Sequence, residues 1–189
     1  VEARRPVFHP AAPEDAPPDP LPVPQPPPLA HALARRPGTN CTSGLTTSGA
    51  PPRGPAAIRV QHAACLRALE AAGLEVTLLP DEEAHPDAYF VEDTAVVTPG
   101  LAVITRPGAP SRRGEEQTIA TVLQAFRPLA RMEAPAALDG GDVIVAEDLV
   151  LVGLSSRTNR SGARQLEEFL APQGYTVRTV PVKDGLHLK

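Results

Sequence analysis

Residues 90–113 read FVEDTAVVTPGLAVITRPGAPSRR, and the fold turns on how that stretch is read. Two apolar runs, Phe90–Val97 and Leu101–Thr105, flank Thr98-Pro99-Gly100. Proline followed by glycine in so short a link is hairpin punctuation, so the runs are expected to be paired strands. Glu92 and Asp93 interrupt the first run, and the second delivers Arg106 into a Pro/Gly loop that ends in Arg112 and Arg113. Ionised groups in or beside a strand cost several kcal/mol unless partners or a charged ligand compensate. Either these acids and arginines meet each other in an internal ion pair, or the acids meet a cation and Arg106 an anion.

Working outward, 189 residues suit one domain with an adequate core. A net charge of -4 gives no basic footprint for nucleic acid. No apolar run approaches the ~20 residues that cross a bilayer. No charged n-region leads into an apolar h-region, so a soluble, cytoplasmic protein is expected. Two cysteines, Cys41 and Cys65, make no disulfide framework, and no CxxC or HExxH suggests a metal site.

Eleven of the 24 prolines fall in residues 1–29, so residues 1–30 are expected to be a polyproline or disordered tail outside the folded region 31–189. Such a tail could serve a proline-binding module. Residues 37–55 look loop-like. Their hydroxyl-rich centre, Thr42–Gly49, lacks the lysine and spacing of a P-loop.

From Pro55 the chain becomes regular. Ile58, Cys65, Leu69 and Ala72 share a helical face that Gly73 ends, and strand Glu75–Leu79 follows. After the hairpin a second helix opens at Gly114, with Glu115 and Glu116 favouring its dipole and Ile119, Val122, Leu123 and Phe126 as its stripe. Strand Ala130–Ala134 precedes Leu138-Asp139-Gly140-Gly141-Asp142, then strands Val143–Ala146 and Leu149–Gly153. A third helix, Ser161–Ala171, turns Ala163, Leu166, Phe169 and Leu170 inward. Strand Tyr175–Val180 follows, and Leu186–Lys189 is expected to begin another.

The order helix, strand, proline, polar element, strand pair occurs twice and starts a third time. Titratable residues fall at matching places: Glu92/Asp93, Asp139/Asp142, and His187. Glu92 to Asp139 is 47 residues and Asp139 to His187 is 48. A repeat of this size points to a propeller-like array, whose strand ends would bring these groups to a common axis. Convergent acids and a histidine suit a cationic substrate. A guanidinium is planar, permanently charged and rich in donors, so carboxylates can hold it by paired charge-assisted hydrogen bonds. A histidine can protonate the departing amine, and Arg106 or Arg157 can take an α-carboxylate. Each residue also has a plainer reading. His187 could be a core histidine, Asp139–Asp142 an Asx-capped turn, and Arg157–Arg160 a solvated loop with a helix cap.

At these motifs residues 31–189 resemble the first three-fifths or so of a dimethylarginine dimethylaminohydrolase, of the pentein superfamily. The matching residues are Pro86-Asp87, Phe90–Asp93, Ile104–Arg113, Leu138–Val143, Gly153–Asn159 and Leu186–Lys189. The resemblance implies an α/β propeller, here incomplete at about three of five blades. It implies hydrolysis of Nω-methylated arginine to citrulline and an amine through a covalent cysteine intermediate, without a cofactor, and a place in arginine metabolism and nitric oxide regulation.

Carried over by motif, His187 is the general acid/base and Asp139 orients its ring. Asp93, with Glu92 and Asp87 nearby, matches substrate-holding positions and meets the guanidinium, Arg106 and Arg157 match the α-amino-acid end, and Leu45 is a lid contact. Arginine and agmatine deiminases usually place an Asp two residues after the histidine. Lys189 stands there, which favours the dimethylargininase over a deiminase relative. The family's nucleophilic cysteine lies well beyond the histidine, and neither Cys41 nor Cys65 occupies its place. A catalytically inactive arginine-binding or interaction protein is the alternative from another class. An unclosed ring is expected to expose a strand edge and to self-associate.

Overall fold

The Thr98-Pro99-Gly100 link does close a hairpin. Thr98 N–H donates to the Leu101 carbonyl at 2.8 Å, and the strands leaving it pair antiparallel. The computed structural model describes residues 29–46, 53–183 and 185–189. The proline-rich tail at 1–28 and part of the hydroxyl-rich loop lie outside them.

Among the described residues, eight strands and three α-helices follow in the order β1 (His31–Arg35), α1 (Pro55–Ala71), β2 (Glu75–Leu79), β3 (Ala95–Val97), β4 (Ala102–Ile104), α2 (Glu115–Leu123), β5 (Leu129–Arg131), β6 (Val143–Ala146), β7 (Leu149–Leu154), α3 (Arg160–Leu170) and β8 (Thr176–Pro181). They form three sheets, β1-β2, β3-β4-β5 and β6-β7-β8. In the second and third, an antiparallel hairpin is followed by a helix and a strand parallel to the hairpin's second member. The first sheet has only the parallel strand–helix–strand part, Ala32 opposite Val76. The repeat seen in the sequence is therefore real in space, with its boundary at the turn before each hairpin. The three sheets are not closed into a ring among the described residues.

Four expectations need correction. Phe90–Thr94 is not strand: Val91–Thr94 is one 3-10 turn, and strand begins only at Ala95. Its polar centre explains this, because Thr94 Oγ1 donates to the Val91 carbonyl at 2.7 Å and offers the backbone a local alternative to a ladder. Leu186–Lys189 is not strand either; Leu188 N–H is spent on the Asp142 carboxylate at 3.0 Å. On α1, Ile58 and Leu69 are half-buried as expected, but Cys65 and Ala72 are exposed and Leu66 takes the inward place between them. Phe126, past the end of α2, is also exposed.

Val103, Val150, Val152, Leu138, Leu166 and Leu170 form the larger core, where α3 covers the third sheet and joins it to the second. Ala102, Ile104, Ile119 and Leu123 form a second core, completed by Leu33 and Leu79 of the first sheet. Removing any of these large apolar side chains would leave a cavity that costs about 2–5 kcal/mol. Rigid cores on both sides fix the turns that precede β3 and β6.

Candidate active site

The two turns that precede the hairpins, Val91–Thr94 and Gly140–Asp142, pack against each other and carry the acids. Glycine is required there. A Cβ on Gly140 would overlap the Glu92 carbonyl, and one on Gly141 would lie 2.9 Å from both Asp93 Oδ1 and His187 Cγ. This close approach builds a cavity of about 190 Å³ lined by Leu45, Asp87, Glu92, Asp93, Arg112, Arg157, His187 and Lys189, among others.

Asp93 is buried at 6 % exposure, and both its oxygens are held. Oδ1 accepts from Gly141 N–H at 2.9 Å and lies 3.9 Å from His187 Nε2; Oδ2 accepts from Arg112 Nη1 at 2.6 Å. The internal ion pair open in the sequence thus forms, but through Arg112. Arg106 instead donates Nη1 to the Ala136 carbonyl at 3.0 Å and does not line the cavity. Asp87 accepts from Leu45 N–H with both oxygens, at 3.2 and 3.0 Å, which ties the loop carrying Leu45 over the cavity. Glu92 is exposed and paired with Lys189 Nζ at 2.6 Å.

His187 Nδ1 lies 3.6 Å from Asp142 Oδ2, an ion-pair distance rather than a hydrogen bond. Asp142, Asp93 and Asp139 raise the imidazole above its ordinary range, with Asp142 the main cause and partial burial opposing. Burial works against the Asp142 carboxylate, but His187 and the hydroxyls of Ser155 and Thr158, each at 2.6 Å, together hold it below the usual range. Asp139 is fully buried. Oδ1 accepts from Gly108 N–H at 2.8 Å, while Oδ2 has no hydrogen bond and Arg157 Nη1 3.9 Å away; burial raises its pKa. Ligand atoms of Asp93, Asp139 and His187 lie within 4.8 Å of one another, so these residues could also gather round a cation. The carboxylate nearest His187 Nδ1 is Asp142, three residues after Asp139. A 3-10 turn brings residues i and i+3 to one side, and that spacing was the available signal.

The chain matches the family described as N,N dimethylarginine dimethylhydrolase, eukaryotic, over residues 55–187. It is 41 % identical over 161 residues to the N(G),N(G)-dimethylarginine dimethylaminohydrolase of Pseudomonas aeruginosa, covering 84 % of this chain and 63 % of that one. This chain belongs to the dimethylarginine dimethylaminohydrolase family. The solved dimethylarginine dimethylaminohydrolase of P. aeruginosa, a cysteine-to-serine mutant complexed with citrulline, superposes with a TM-score of 0.83 at 40 % identity, covering 85 % of this chain and 64 % of that one. A histidine-to-glycine dimethylarginine dimethylaminohydrolase in adduct with S-methyl-L-thiocitrulline gives the same score, identity and coverage. The chain therefore spans a little under two thirds of the length of these relatives. It shares their mixed α/β fold, with two full repeating units and part of a third among the described residues. Neither of this family member's cysteines lines the cavity: Cys41 is buried elsewhere in its loop and Cys65 is exposed on α1.

A larger cavity, about 590 Å³, lies between β1 and the end of α2. Leu33, Val97, Ile119, Leu123 and Phe126 give it an apolar lining. No helix among the described residues is long and apolar enough to cross a membrane.

Proposed function

We propose that the smaller cavity binds an Nω-methylated arginine and serves its hydrolysis to citrulline and methylamine or dimethylamine. The observation that carries this reading is the cavity's charged lining, which the carboxylates of Asp87, Glu92 and Asp93 share with His187 and Arg157. Asp93 meets the guanidinium by charge-assisted hydrogen bonds, aided by Asp87 and Glu92. Arg157 meets the α-carboxylate, and Leu45 covers the ligand. Arg106, turned to the Ala136 carbonyl, would serve the α-amino-acid end only by releasing that bond.

The reaction needs a thiolate that attacks the guanidinium carbon, with His187 giving a proton to the departing amine and then taking one from the water that resolves the thiouronium. Cysteine supplies that thiolate when present. Asp142, Asp93 and Asp139 favour the protonated imidazole that the first transfer uses. The relative that holds citrulline with its cysteine replaced by serine supports this chemistry. A second reading, binding of arginine derivatives without turnover, uses the same charged lining. A cytoplasmic place and a part in nitric oxide regulation belong to the first reading.

Calorimetric titration with Nω,Nω-dimethylarginine tests the common core of both. Saturable binding that weakens at least tenfold in Asp93→Asn is expected, since a hydrogen bond to a charged group is worth about 1.5–3 kcal/mol. Unchanged affinity in that variant would remove Asp93 from the site. A citrulline assay on the same samples separates turnover from binding.

A further inference from the structure

Among the described residues, the guanidinium of Arg157 makes no hydrogen bond to the protein; its nearest acid is Asp139, whose Oδ2 lies 3.9 Å from Nη1. An arginine with its donors free is aimed by its backbone. Gly108 packs so closely there that a Cβ on it would overlap the Arg157 carbonyl. The other hold on that backbone is the hydroxyl of Ser155, the first residue past β7.

Ser155 Oγ accepts from Arg157 N–H at 2.9 Å and from Thr158 N–H at 3.2 Å, which closes a local turn between β7 and α3. It donates to Asp142 Oδ2 at 2.6 Å. With both lone pairs and the proton used, the hydroxyl has a single orientation. Its third bond leaves the turn. Asp142 Oδ2 also accepts from Thr158 Oγ1 at 2.6 Å and lies 3.6 Å from His187 Nδ1, while Oδ1 accepts from Leu188 N–H at 3.0 Å. Three donors therefore fix that carboxylate in the protein. Through it, the peptide that aims Arg157 is fastened to the buried support behind His187.

We infer that Ser155 is a positioning residue for the ligand's α-amino-acid end, whose hydroxyl anchors the Arg157 peptide to Asp142 so that the free guanidinium faces the ligand's carboxylate. Ser155 is not on the cavity lining and acts only through Arg157. The inference rests on the reading of Arg157 as the α-carboxylate partner. Alanine at 155 keeps the backbone bond from its N–H to the Thr158 carbonyl, 3.2 Å in this structure, and removes the three hydroxyl bonds. Threonine keeps a hydroxyl on the same carbon.

The test titrates the 189-residue chain, Ser155→Ala and Ser155→Thr with methylarginine and with methylagmatine, which lacks the α-carboxylate, and uses ¹H–¹⁵N spectra to establish folding. The preference for methylarginine is expected to fall about three- to tenfold in Ser155→Ala, the range one neutral hydrogen bond supplies, and to return in Ser155→Thr. A merely structural role would weaken both ligands by the same factor and leave the preference intact, and that result would overturn the inference. So would an equal loss of preference in both variants. Hydrogen exchange of the Arg157 amide in the unsubstituted chain decides even where no variant folds: protection is expected, and exchange as fast as in an open peptide would overturn the inference. Two other outcomes belong to the reading beneath it. Absence of methylarginine binding by the unsubstituted chain would overturn the functional reading, and equal affinities for the two ligands there would overturn the role of Arg157; the inference falls with either.

Discussion

The imidazole of His187 has a carboxylate on each side, Asp142 toward Nδ1 and Asp93 toward Nε2. Asp142→Asn removes the main cause of its raised pKa, so the NMR titration of the ring should move to lower pH; an unmoved titration would leave burial and Asp93 in control. Arg157 makes the corresponding claim at the other end of the ligand. Methylagmatine, which lacks the α-carboxylate, should bind roughly ten- to over a hundredfold more weakly than methylarginine. Equal affinities would assign Arg157 to structure through Asp139. Much of this residue-level picture was legible. The spacing of Glu92/Asp93, Asp139 and His187 anticipated a gathering, and Asp93, Asp139 and His187 do come together. Which of Arg106, Arg112 and Arg113 turns inward was not legible, since all three follow one strand in a Pro/Gly loop. The backbone path there is set by the Pro110–Arg112 turn, which buries Arg112 against Glu115.

The turns before the hairpins hold the site, and glycine is what allows them to touch. Gly140→Ala would drive a methyl into the Glu92 carbonyl, a backbone atom that cannot swing aside, and should cost about 1–3 kcal/mol in urea unfolding. An unchanged midpoint would mean the two turns can part without loss. Asn159 caps α3 by accepting from Gly162 N–H at 2.8 Å, and it also ties Ala137 N–H and the Pro135 carbonyl. Asn159→Ala should therefore lie toward the upper end of the usual cap cost, about 2 kcal/mol. Element types were readable where periodicity was strong, as in β2, β6 and α3. β1 escaped notice because His31–Arg35 is short and follows the proline-rich stretch without a turn signal. Leu186–Lys189 was misjudged because its alternation looked like a strand, whereas its backbone is claimed by Asp142 and Gly141.

Across the whole molecule, the same unit of hairpin, helix and parallel strand is laid down twice, and its strand–helix–strand part once before. Sequence spacing carried that repeat because each unit must place its polar turn at the same end. The acid–histidine pair at the centre should show in global stability. His187 is raised, so its contribution is fully present below its ordinary value of 6.5 and is lost as pH rises through its folded value. Asp142 is depressed, so its contribution is present above its ordinary 3.8 and is lost as pH falls through its folded value. Urea unfolding should then show this pair's stabilisation between about pH 3.8 and 6.5, and Asp142→Asn should abolish that feature; a variant with the same pH profile would contradict it. The claim on which everything else depends is that the small acidic cavity, not the larger apolar one, receives a methylated arginine. Its most direct measurement is ¹H–¹⁵N shift mapping with Nω,Nω-dimethylarginine. The predicted result is saturable movement of the amides of Leu45, Gly108, Gly141 and Leu188, which donate to the site carboxylates. Movement centred instead on Leu33, Val97 and Phe126, or no saturable movement at all, would contradict it.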